Sequence, residues 1–144
     1  MVCAWLTLSV TAAEPGKLLW QIGKPDKNNS EFALAPDAYH KFERDGLFVV
    51  GESDASRDWP YVQPGPVDGW AGARRHTFTI LFGLKTAPAS GECRLQFSLL
   101  DTQSKSPPTL RIHVNEQVFE RALPEAPVQD GLPTLVLVVF RYLR

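Results

Sequence analysis

The sequence predicts an all-β sandwich, and three observations carry that reading. Several short stretches alternate apolar and polar residues with a period of two, as half-buried strands do. Twelve prolines and ten glycines punctuate 144 residues, a density that suits short strands joined by turns. No stretch has a long amphipathic helix pattern, and Ser30 to His40 holds one short helical turn at most.

The strands follow in chain order. Leu47-Phe48-Val49-Val50 is an apolar run bounded by Gly46 and Gly51. In HTFTILFGL, Phe78, Ile80, Phe82 and Leu84 fall on one face, with Thr77 and Thr79 on the other. Cys93, Leu95, Phe97 and Leu99 then share a face opposite Arg94, Gln96 and Ser98, which predicts a buried thiol at Cys93. Leu110, Ile112 and Val114 oppose Thr109, Arg111 and His113. Asn115-Glu116 is a predicted tight turn, because Asn tolerates positive φ, and it leads into a strand from Gln117 to Leu123. Further turns are expected at Lys85-Thr86-Ala87-Pro88, at Ser90-Gly91 and from Ser104 to Pro108. Leu135 to Phe140 has the composition of one more strand.

Size and charge bound the function. The length fits one domain, and 44% hydrophobic with 22% charged residues suits a globular core. A formal net charge of −1, with no basic stripe, argues against a nucleic-acid partner. Val2 to Val10 is apolar and ends in Thr11-Ala12-Ala13, the pattern of a secretory signal over residues 1–13 cleaved after Ala13. The mature chain is then expected to be secreted or periplasmic; a buried first strand is the alternative. Cleavage would remove Cys3 and leave Cys93 without an intramolecular disulfide partner. Neither this run nor the tail approaches the roughly 20 apolar residues that span a bilayer, so no membrane partner is expected.

The stretch from Asp58 to His76, DWPYVQPGPVDGWAGARRH, is the candidate binding element. A long loop with its own aromatic residues is more than a connector. Trp59, Tyr61 and Trp70 offer ring faces for the C–H surfaces of sugars. Arg74, Arg75 and His76 offer donors for hydroxyls and uronate carboxylates. The competing reading folds the rings inward to cap the core, with Pro60, Pro64 and Pro66 stiffening the loop. Catalytic signatures are missing. His40, His76 and His113 lack metal-ligand spacing, and there is no nucleophile elbow, P-loop or paired-cysteine zinc motif. The chain itself is therefore not expected to be an enzyme.

Several motifs resemble one family in order and spacing. Trp20-Gln21-Ile22-Gly23-Lys24-Pro25-Asp26 is similar to the WxIGxPD opening of the carbohydrate-binding-like third domain of family 4 polysaccharide lyases, which cleave rhamnogalacturonan. Ser30-Glu31-Phe32 fits the motif that follows it. Val50-Gly51-Glu52-Ser53 and Asp58-Trp59-Pro60-Tyr61 resemble its VGxS…DWxY signature. Phe78 to Leu84, Pro107-Pro108 and Leu110 to Asn115 match its later strands. The resemblance runs from Leu18 to Pro124.

It implies a galactose-binding-like jelly-roll β-sandwich over 18–124, serving as an accessory module of a pectin-degrading lyase. The implied partners are a plant cell-wall polysaccharide and the catalytic domain of a parent enzyme. A structural domain that packs on that enzyme and binds no sugar is the alternative. Such jelly rolls often hold a structural calcium, for which Asp26, Glu31 or Asp101 could supply oxygen, although no calcium-loop motif chooses among them. Residues 125–144 depart from the family. They are either a closing strand or a truncated end, and the second case would expose an apolar face and an unpaired edge.

Overall fold

A computed structural model describes residues 17–24, 26, 28–86, 92–101, 107–123 and 134–143. The signal expected over residues 1–13, with Cys3 and the cleavage point after Ala13, lies outside the described residues. So do Ala87, Pro88, Ser90-Gly91 and residues 104–106 of the predicted turns. Strands dominate the regular structure of the described residues, and the helical elements are single short turns, so the all-β class is observed. No helix among the described residues is long and apolar enough to cross a membrane.

The described strands form three sheets. The largest holds β1 (Lys17–Ile22), β4 (Glu92–Asp101) and β7 (Thr134–Leu143). Its order is β1-β7-β4, and both pairings are antiparallel. The tail of the chain therefore lies at the centre of the sheet, and among the described strands β7 is the one hydrogen-bonded to both β1 and β4. β2 (Leu47–Val49) and β3 (Thr79–Leu81) form a short parallel pair. β5 (Thr109–Val114) and β6 (Gln117–Ala122) form an antiparallel hairpin in which Val114 pairs with Gln117. Asn115 sits at the turn with φ of 53°, the left-handed conformation that Asn tolerates.

The core is built as much by connecting segments as by strands. Its buried cluster takes Trp20 and Ile22 from β1 and Phe48 from β2. Phe32, Trp59, Tyr61 and Val62 complete it from outside any strand. Local bonding explains how irregular backbone is admitted to the interior. Asp54 caps the short helix α1 (Ala55–Asp58) by accepting from the Ser56 N–H at 2.8 Å, and the Trp59 N–H closes the turn on Ala55 O. The chain then runs parallel to Ala33 at Pro60. Ala33 N–H donates to Trp59 O at 3.0 Å, and Tyr61 N–H donates to Ala33 O at 3.0 Å. Both bonds use the neighbours of Pro60, so its missing N–H leaves nothing unpaired. Gly46 also has a steric reason: a Cβ there would meet the Phe78 ring at 3.0 Å.

Two strand-level expectations need correction. β3 stops at Leu81, leaving Phe82 and Leu84 outside it and exposed. Its partner β2 turns away after Val49, where Glu52 and Ser53 N–H groups both donate to Val49 O, so no ladder continues. Cys93 is exposed, not buried. Leu95, Phe97 and Leu99 on its strand do pack against the core, but Cys93 lies opposite Tyr142 near the end of the sheet, beyond the core's reach.

Two outcomes are expected. Trp59→Ala should lower unfolding free energy in urea by about 3–5 kcal/mol, with a smaller loss for Trp59→Phe. Deleting residues 134–144 should abolish the cooperative transition and raise light scattering, because the partner of both β1 and β4 is removed; an unchanged urea midpoint would contradict the central role of β7.

Candidate functional site

The loop from Trp59 to His76 does not act as one surface. Its first part is core. Trp59 retains 2% of its exposure and Tyr61 3%. Phe48 meets the Trp59 ring edge-on at 6.1 Å and Phe78 meets it at 5.7 Å. These covered rings have no face to offer a sugar, so the expectation that Trp59 and Tyr61 bind carbohydrate is corrected. Burial also pushes the Tyr61 hydroxyl above its usual range.

The second part of the loop turns outward and is fixed by one carboxylate. Asp45, just before β2, accepts from Arg74 Nη2 at 2.8 Å and Nη1 at 3.3 Å, from His76 Nδ1 at 2.7 Å and from the Thr77 N–H at 2.8 Å. Partial burial alone would raise the Asp45 pKa, but the bonds from Arg74, Thr77 and His76 outweigh it and hold the group at about 2. An ionised carboxylate only accepts, so His76 must donate from Nδ1. The His76 side chain is 1% exposed and its ring meets Phe42 edge-on at 5.2 Å. His76 therefore belongs to the clamp and is out of reach of a ligand, a second correction.

Trp70, Arg74 and Arg75 remain at the surface. Trp70 lies half-buried in a 3-10 turn, Gly69–Ala71, which Gly72 ends at φ of 90°. The turn is drawn tight by Asp68, whose Oδ2 accepts from Gly65 N–H at 2.6 Å and whose carbonyl accepts from the Ala71 and Ala73 N–H groups. Tyr39 and Phe42 support the Trp70 ring edge-on at 5.2 and 6.2 Å. Tyr39 lies in a second 3-10 turn, Ala38–Lys41, with the exposed His40 beside it at 5.9 Å. Arg74 is half exposed although bonded to Asp45, and Arg75 projects into solvent. Tyr39 and Asp45 went unnoticed in the sequence because their partners in the loop lie about 30 residues further along the chain.

Among the described residues, no three His, Cys, Asp or Glu side chains are placed to share a metal ion. Asp26 accepts from the Asn28 N–H, and Glu31 from the Lys24 N–H at 2.8 Å. The mixture that remains, one supported aromatic ring flanked by cations, can stack on an apolar ring face and pair with anions.

Comparison with known proteins gives one finding. The family model described as "CBM-like: Polysaccharide lyase family 4, domain III" matches residues 18–133. The chain belongs to this family. No curated protein and no solved structure matches the chain significantly. For this domain III the geometry gives the motifs a physical meaning. Trp20, Ile22, Phe32, Trp59 and Tyr61, apolar residues of the resembling segments, supply most of the buried core cluster. The match ends at residue 133 and β7 begins at Thr134, so the central strand of the sheet lies just past the matched span.

The Asp45 clamp predicts a pH dependence. Its folded pKa lies below the unfolded value, so its contribution is fully present above about pH 4 and is lost as pH falls toward 2. Asp45→Ala should cost about 1–2 kcal/mol at pH 7, discounted for solvent screening, in urea unfolding. The gap from the parent protein should narrow between about pH 4 and 2; a gap constant across that range would show that the carboxylate's charge is irrelevant.

Proposed function

We propose that the chain is a non-catalytic carbohydrate-binding module of a secreted lyase that degrades pectin, with a galactose-binding-like jelly roll as its parent architecture. Membership of domain III of polysaccharide lyase family 4 supports an accessory role beside a separate catalytic domain. The observation that carries the binding assignment is Trp70, half-exposed and supported edge-on by Tyr39, with Arg74 and Arg75 next along the loop. A ring held by its neighbours loses little freedom on binding, and guanidinium groups suit the carboxylates of a galacturonate chain. The ligand class is therefore an acidic plant cell-wall polysaccharide, met outside the cytoplasm.

A second reading has its own support. Trp59 and Tyr61 are interior residues, which suits a structural domain that packs on its catalytic partner and binds no sugar.

Affinity measurements on polygalacturonate separate the two. Saturable binding that weakens about tenfold in Trp70→Ala and in Arg75→Ala, with unfolding midpoints unchanged, is the outcome expected of a binding module. A folded parent protein that binds neither polygalacturonate nor rhamnogalacturonan would support the structural reading.

A further inference from the structure

A second surface, sharing no residue with the Trp70 loop, has a different chemistry. It is a shallow cleft of about 450 Å³, formed where the end of β1 meets the start of α1. Its polar walls are Gln21, Lys24, Glu31, Ser53, Asp54 and Ser56. They come from the two sequence segments whose apolar residues make the core, WQIGKPD…SEF and VGES…DWPY. Burying Trp20, Ile22, Phe32 and Trp59 thus brings the polar residues between them together.

These side chains are already oriented. Glu31 Oε1 accepts from the Lys24 N–H at 2.8 Å. Asp54 Oδ1 accepts from the Ser56 N–H at 2.8 Å and from its hydroxyl at 2.6 Å. Gln21 Nε2 donates to Gly23 O at 3.2 Å. Exposed polar side chains usually sample several rotamers; Gln21, Glu31, Asp54 and Ser56 are each held by at least one bond and still have hydrogen-bonding capacity left over. The Ser56 hydroxyl and N–H hold Asp54 below the usual carboxylate range. Two carboxylates, Glu31 and Asp54, line the cleft beside one lysine, which disfavours an anionic ligand. Mixed donors and acceptors suit vicinal hydroxyls, each of which both gives and takes a hydrogen bond. The volume lies within the roughly 300–1,000 Å³ of ligand sites, room for a sugar unit or two.

We propose that this cleft binds a neutral, hydroxyl-rich sugar unit, so that the domain meets the neutral part of a polysaccharide here and its acidic part at Trp70. The cleft assignment rests on the reading of the chain as a carbohydrate-binding module. Titration of the isotope-labelled full chain, followed by amide chemical shifts, tests it. The probes are a panel of neutral oligosaccharides built on galactose, arabinose or rhamnose, with polygalacturonate as the acidic counterpart. A neutral probe should saturably shift Gly23, Lys24, Ala55 and Ser56. Gln21→Ala and Lys24→Ala should each weaken it about tenfold and leave polygalacturonate affinity unchanged. Neutral probes that shift only the Trp70 loop, or shift nothing while polygalacturonate binds, overturn the cleft and leave the binding-module reading standing. Silence toward every probe overturns both.

Discussion

The structure depends on the burial of Trp59. The ring sits where strand and connecting segments meet, against Phe48 of β2 and Phe78 just before β3. Its backbone carbonyl also accepts from Ala33, tying the segment that carries Phe32 to the end of α1. One residue thus joins the β2–β3 pair to the Phe32 segment and α1. This matters because the described sheets are small and separate. A two-stranded pair or a lone hairpin is marginal in water, so cohesion must come from side chains shared between sheets. Trp20 and Ile22 bring the three-stranded sheet to the same cluster, and Leu95, Phe97 and Leu99 approach it from β4.

Packing continues from that centre to the surface as a chain of rings. Trp59 touches Phe78, Phe78 touches Phe42 at 6.3 Å, and Phe42 touches both His76 and Trp70. Trp70 is thereby a surface residue with an interior foundation. Asp45 locks the same loop from the outside, joining Arg74, His76 and Thr77 through one carboxylate. Hydrophobic contact fixes where the loop lies, and the charged bonds fix how its far end returns to β3. Neither alone would hold a polar loop in a single conformation against its entropy.

What was legible in the sequence was local. The β5–β6 hairpin follows from the alternation of β5 and the turn residue Asn115, and β4 shows its core-facing residues at every second position. The motifs also reveal the family, because their order survives in the sequence alone. What was not legible depends on distant partners. Nothing near Trp59 or Tyr61 says whether an aromatic loop turns in or out; that is decided by Ala33 and Phe48, far off in the chain. Asp45 finds its partners 29 to 32 residues later. The place of β7 between β1 and β4 is set by strands more than thirty residues before it, and the shortness of β3 by the turn that ends β2. Cys93 obeys the alternation and is exposed, because periodicity names a face but not how far the core beneath it extends.

Aromatic residues in a loop are thus weak evidence for a binding site until their burial is known. In a small β domain the connecting segments must also fill the core, since short strands present too few apolar side chains to do it alone. Trp59 and Tyr61 serve that need, and by serving it they fix the polar residues beside them. Asp54 and Ser56 are held at the surface because Trp59, a few residues on, is held inside; Gln21 and Lys24 are placed by Trp20 and Ile22 in the same way. A run that alternates between interior rings and exposed polar groups converts core packing into surface geometry. The residues that recognise a ligand in such a domain are then best sought beside the buried aromatics, not among them.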